Sequence, residues 1–570
     1  MGDLGKIQIQ YRKEDPIDIA NINAEYEYSL TDTENEYQPF TIAKLQNYNP
    51  IYSVFFEMNE KNQQRFTLKH PRRILSLNTV YDFDTESVIE TPVFVKFSPL
   101  LDPIKYMIGK YPIEDDSIRT MPQMDNTATF PKLADVNNAS YVDCFFSYLS
   151  SQLLHHHHFI HGVDYYGSYV GVQEKFKMNV SDDIEYLSTS SFFNNHVGKY
   201  FTISDDLRQE FAGGDGSRAN KGRISLQSFT EDQCIDLGVV DIDPVDQVES
   251  IDPIESDIVY AKPSRTNSSA SSTNSSNNSE VNYSSSEEEE EDEDAEQEES
   301  SESEDDESCS TESDNIYAYI PNFPVQMICL EKCTGTLDKL FERGSIDEIE
   351  GASALFQIVM ILITYQKAFA FTHNDLHTNN IMYVTTELDY LHYMYDNKVY
   401  KIPTYGRIFK LIDFGRGIYK YNGKVFCSDS FGPGGDAATQ YNSEPYMNSK
   451  KPRLDPNPSF DLCRLGCSIY DFLIEDEPES EMDDFQKTVL RWCSDDKGKN
   501  ILYKRDGQER YPNFKLYKMI ARTVNHHVPK DQLRYPFFSQ FLMAEKQRKK
   551  FVFVDEEPGM LNVDAIPSYV

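Results

Sequence analysis

Two short stretches decide the reading of this chain: His373-Asn374-Asp375-Leu376-His377-Thr378-Asn379-Asn380 and, further on, Asp413-Phe414-Gly415. Together they give H-x-D-x-x-x-x-N followed by D-F-G. At roughly one-in-twenty odds per fixed position, both in this order within about fifty residues arise by chance in on the order of one chain in two thousand of this length. They are therefore not read as polar loop residues beside a strand. Upstream, residues 348–371 contain Ala354-Leu355-Phe356-Gln357-Ile358-Val359-Met360-Ile361-Leu362-Ile363, apolar nearly all round, which predicts a buried helix. The apolar run is shorter than the roughly 20 residues a bilayer requires. Downstream, Ile381-Met382-Tyr383-Val384 and Phe409-Lys410-Leu411-Ile412 read as strands, and residues 385–408 as an inserted hairpin turning at Asp396-Asn397.

The 570 residues carry a formal charge of −40, unevenly spread. From Glu231 to Asp314 there are 29 acidic residues and two basic ones, Lys262 and Arg265, a charge of −27 that leaves −13 for the rest. The acidity belongs to one segment, and no positive stripe for direct nucleic-acid binding is evident. Residues 264–313 are almost all Ser, Asn, Glu and Asp, too polar and self-repelling to fold alone, so the tract is expected to be disordered. Ser284, Ser285 and Ser286 precede its acidic run and are candidate phosphorylation sites. Nine widely spaced cysteines without a C-x-x-C pair argue for a reducing compartment and against a disulfide framework or zinc site. No secretory signal or membrane run is read, which points to the cytoplasm. His155 to His158 with His161 are read as a solvated turn, since adjacent histidines cannot all face one ion.

The two motifs resemble the catalytic loop and metal-binding triplet of the eukaryotic-type protein kinase superfamily. That resemblance covers about 300 residues in two blocks. It implies an α+β, bilobal kinase-like fold with a large, partly disordered acidic insertion in the small lobe. The implied layout is an N-terminal extension at 1–39, small lobe at 40–172, insertion at 173–320, last small-lobe strand and hinge at 321–333, large lobe at 334–545 and a tail at 546–570. The implied cofactors are ATP and Mg²⁺. Asp375 is the expected base, Asn380 and Asp413 the magnesium ligands, and His373 and Asp461 the braces of the loop. Asp461 opens the D-x-x-x-x-G of Asp461-Leu462-Cys463-Arg464-Leu465-Gly466. Lys96, in Val93-Phe94-Val95-Lys96-Phe97, resembles the ATP-binding lysine. Leu330 resembles the gatekeeper, with Glu331 and Cys333 in the hinge.

The chain departs from the family in several places. No glycine lies between Gly5 and Gly109, so no glycine-rich loop precedes Lys96, and Lys69, Arg72 or Arg73 are the candidates for phosphate cover. Gly213-Gly214-Asp215-Gly216 reads as a surface turn. The expected glutamate partner of Lys96 is missing. The only acid of Tyr141–Gln152 is Asp143, which is shorter, so the ion pair is not expected to form as usual. Asn374 replaces an arginine, which disfavours control by a phosphorylated activation loop within 416–457. His377 and the absent A-P-E are similar to haspin-like kinases and to small-molecule kinases of the choline and aminoglycoside type, and the overall style is similar to divergent kinases of giant DNA viruses. The expected function is Ser/Thr phosphorylation of a protein substrate, away from nucleic acid and membrane. The alternatives are a small-molecule kinase and a weakly catalytic scaffold, and the sequence carries no signal for oligomeric state.

Overall fold

Tyr165–Asn179 and Tyr317–Glu331 are fifteen-residue strands that pair antiparallel from Tyr317↔Asn179 to Leu330↔Tyr165. Both are buried for eight or more consecutive residues, as strands covered on both faces are. In the computed structural model they form the centre of a five-stranded antiparallel sheet. Its order is Ile42–Gln46, Tyr165–Asn179, Tyr317–Glu331, Val93–Pro99, with Thr202–Ile203 added at Ala318 and Tyr319. The structure describes residues 6–204, 316–474 and 480–570, apart from 16, 21, 23–25, 27–36, 506, 513 and 555–556. The acidic tract 264–313, the Gly213–Gly216 turn and Ser284–Ser286 lie outside the described residues.

The fold is α+β, with the large sheet and several smaller ones beside a helical part. Two helices connect them. Ala139–His157 starts where the Asn138 side chain accepts from the Ser140 amide (3.0 Å), and stops at His158 with φ 53°. Its Phe146 ring packs on Phe371 (centroids 4.1 Å) and Phe414 (4.7 Å), tying the helix to the loops around the two motifs. Glu348–Phe369 starts at Asp347, whose carboxylate accepts from the Glu350 amide (2.8 Å), and ends at left-handed Ala370. This helix is longer than the apolar run suggests. At 22 residues it meets the length and composition of a membrane span, but 89% of its most apolar window is buried inside the protein, as in a core helix.

The strands after it form as read: Ile381–Thr385 pairs with Arg407–Leu411. Between them Tyr390–Tyr395 and Lys398–Pro403 form the hairpin, with Asp396 and Asn397 both at positive φ as a two-residue turn requires. Met560–Asn562 then joins this hairpin in parallel.

Several boundaries differ from the reading of the sequence. The sheet continues past 172 to Asn179, is followed by helices Ile184–Thr189 and Ser191–His196, and resumes by Tyr317, so the described ends of 173–320 pack with the sheet. The end of the chain is not a loose tail. The Tyr569 amide donates to the Ala368 carbonyl (2.8 Å), and its hydroxyl meets the Ile7 amide (3.2 Å) and His157 Nε2 (2.8 Å). Ile7, Leu561, Val563 and Tyr569 are all buried, because the back of the two long helices is too apolar to leave wet. The histidines are not a solvated turn: His155 to His157 end a helix, and His155 Nε2 contacts Asp164 Oδ1 (2.7 Å). His161 is fully buried, its Nδ1 against the Phe409 carbonyl and its Nε2 against the Tyr393 hydroxyl, both at 2.7 Å.

His161 and the buried His70 have pKa values lowered to about 3, burial being the main cause. Unfolded histidine titrates near 6.5, so between these values the unfolded chain binds protons that the folded chain refuses. Their contribution to stability is complete above about pH 6.5 and falls as pH drops toward 3. Urea unfolding should show each histidine costing about 2 kcal/mol between pH 6.5 and 5. In His161→Gln the stability–pH slope over that range should be shallower than in the parent.

Candidate active site

Lys96 sits on the strand Val93–Pro99, opposite Ile328. Its alternation with Phe94 and Ser98 turns the three side chains to one face of the sheet. From there Lys96 Nζ reaches Asp143 Oδ2 at 2.7 Å and Asp413 Oδ1 at 2.9 Å. The pair doubted from the sequence therefore forms. Asp143 is short, but Ser98 and Ser140 share a hydrogen bond of 2.9 Å that draws the first turn of Ala139–His157 against the lysine strand. The other Asp143 oxygen accepts from the Phe414 amide (2.8 Å), so one carboxylate holds both the lysine and the backbone after Asp413. Burial pulls Lys96 toward neutrality, but Asp143 and Asp413 outweigh it and hold its pKa above the ordinary value.

The loop carrying Asp375 is held from behind. The Asp461 carboxylate accepts from the amides of His373 and Asn374, each at 2.9 Å. His373 Nε2 meets the Ile412 carbonyl (3.0 Å), linking the loop to the strand that delivers Asp413. Asn374 has φ 63°, a left-handed backbone that asparagine tolerates. Its side chain donates to the Thr372 and Arg416 carbonyls and accepts from the Tyr441 hydroxyl (2.8 Å). The residue that stands in place of arginine is thus a neutral tie between the loop and 416–441. Asp413 is also left-handed, at φ 63°.

Asp375, Asn380, Asp413, Lys96 and Asp143 all line one cavity of 1210 Å³. Asn380 donates from Nδ2 to the Asp375 carbonyl (3.0 Å), which leaves Oδ1 as its acceptor atom, and the Asp413 side chain is half exposed. Two oxygen donors suit Mg²⁺, which keeps most of its ligands from water and phosphate. Across the mouth, Lys105 Nζ donates to the Gly434 carbonyl (2.9 Å), Lys132 pairs with Asp429, and the Asp429 amide donates to Asn137 (2.7 Å).

Asp375 is strongly acidic. Burial raises it, but Arg416 at 3.9 Å, His377, Arg464 at 4.0 Å and a Tyr517 hydroxyl at 2.7 Å bring its pKa down to about 2. His377 is lowered to about 4, mainly by burial, and is neutral at pH 7.

Other candidates fall elsewhere. Leu330, Glu331 and Cys333 are not among the residues lining the cavity. The Glu331 carboxylate pairs with Lys410 and accepts from the Asp164 amide (3.2 Å), which makes its side chain a structural strut. Arg72 is bound to Asp82 (3.1 Å) and Asp164 (2.8 Å), and Arg73 to Glu14, so neither covers the cavity, and Lys69 Nζ reaches Gln10 instead. Arg416, Arg464, Tyr517 and the 100–139 segment went unnoticed in the sequence. Arg464 was findable, one helical turn after Asp461 on the same face. Tyr517 carries no such signal.

Removing the Asp461 carboxylate strands two buried amides. Asp461→Ala should cost roughly 2–6 kcal/mol in denaturant unfolding, and Asp461→Asn, which keeps one acceptor oxygen, less.

No family model matches the chain, and a search of curated proteins finds no match.

Proposed function

We propose that this chain is an ATP-dependent phosphotransferase of the protein-kinase type, acting on Ser/Thr hydroxyls of a protein, with the sheet and helical part as the two lobes of a nucleotide cleft. The observation that carries the reading is the convergence of Lys96, Asp143, Asp375, Asn380 and Asp413 on one cavity from four separate segments.

In this reading Lys96, kept charged by its two carboxylates, holds the phosphates of the nucleotide. Asn380 Oδ1 and the Asp413 carboxylate would hold Mg²⁺, which when bound supplies the positive charge that phosphoryl transfer requires. Asp375 orients the acceptor hydroxyl and receives its proton. With a pKa of about 2 it is a weak base, suited to a loose transition state in which the proton leaves late. Asp461 and Asn374 keep the loop in place so that Asp375 needs no reorganisation.

MgATP at 100 times its dissociation constant should stabilise the protein by about 2.7 kcal/mol. Asp375→Asn should keep that stabilisation while lowering transfer from labelled ATP by roughly 10²–10⁴-fold. No stabilisation at millimolar MgATP would overturn the reading. Offering protein and small-metabolite acceptors separately tests the substrate class.

A further inference from the structure

Tyr517 lies on the helix Lys515–Thr523, far in sequence from either motif. Its hydroxyl is 2.7 Å from Asp375 Oδ1, and Arg464 Nε is 2.9 Å from the same hydroxyl. The guanidinium can only donate, so the phenol oxygen accepts from Arg464 and its single proton goes to Asp375. The direction of this relay follows from the donor inventory alone.

The ring approaches from the core and not through the cavity. Tyr517 is 5% exposed, packed against Phe514 (5.2 Å) and Phe460 (5.9 Å), and is absent from the cavity lining that includes Asp375. It is therefore neither a plug nor a competing acceptor. It occupies Oδ1 on the buried side, while Oδ2 lies 3.9 Å from Arg416 Nε, beyond hydrogen-bond distance.

Resting on the phosphotransfer reading above, we propose that Tyr517, supported by Arg464, is a positioning residue that fixes the Asp375 carboxylate so that Oδ2 faces the acceptor hydroxyl. The helix Phe460–Leu473 then braces the loop twice, at its backbone through Asp461 and at its side chain through Arg464 and Tyr517. Arg416, Arg464, the neutral His377, Asp413 and Asp461 are the ionisable groups whose charge bears on Asp375 or responds to it. Of these, Arg464 donates to the Tyr517 hydroxyl.

The test uses the full chain. Tyr517→Phe removes only the hydroxyl and keeps the ring packing. It should lower kcat with MgATP roughly 10- to 100-fold while the KM for ATP stays within about twofold. A merely structural role would lower the melting temperature and spare kcat below it. A kcat within about twofold of the parent overturns the proposal. If the parent binds MgATP but transfers nothing, the phosphotransfer reading fails, and the contact is judged at pH 7 from the Asp375 carboxyl carbon resonance, assigned with Asp375→Asn. Loss of the Tyr517 hydroxyl in Tyr517→Phe should shift that resonance. An unshifted resonance there counts against the proposal.

Discussion

One ammonium group holds the site together. Lys96 comes from the large sheet, Asp143 from the helix Ala139–His157 and Asp413 from the turn after the strand Arg407–Leu411, and the three meet at the charge on Nζ. Two carboxylates so close would repel in a partly buried cavity, and the lysine would neutralise there without them. Each member makes the others tolerable. The arrangement also fixes where the helix stands, because the second Asp143 oxygen is committed to the Phe414 amide.

The same economy appears behind the loop. The buried Asp461 carboxylate spends both oxygens on backbone amides, and Asn374 spends its side chain on Thr372, Arg416 and Tyr441. Left-handed conformations at Asn374 and Asp413 persist because these bonds over-determine the backbone. The segment 416–441 is held by hydrogen bonds and by the Arg416–Asp436 and Lys132–Asp429 ion pairs. The packing beside it is aromatic: Phe146 of the helix Ala139–His157 stacks on Phe371 and meets Phe414 edge-on and Tyr419 at a tilt.

What was legible came from local pattern. The buried helix, the strands flanking the two motifs and the Asp396-Asn397 turn follow from periodicity and turn chemistry within a few residues. The grouping of Asp375, Asn380, Asp413, Asp461 and Lys96 followed from the family resemblance of the motifs that carry them. The misreadings at the site were of distance. Asp143 was thought too short because its approach depends on the Ser98–Ser140 contact. Arg72 and Arg73 are candidates for phosphate cover in the sequence because their pairing with Asp82, Asp164 and Glu14 is not encoded locally.

The amino-acid sequence by itself determined the elements around the two motifs and the identity of the groups they carry, since both depend on neighbours close along the chain. The tertiary structure alone decided which charges meet. Tyr517 and Asp375 stand 142 residues apart, Lys96 and Asp413 317, and Ile7 and Tyr569 562. No local periodicity encodes such pairs. They arise because burying the apolar faces of two long helices and one sheet leaves few ways to satisfy the polar groups carried inside with them.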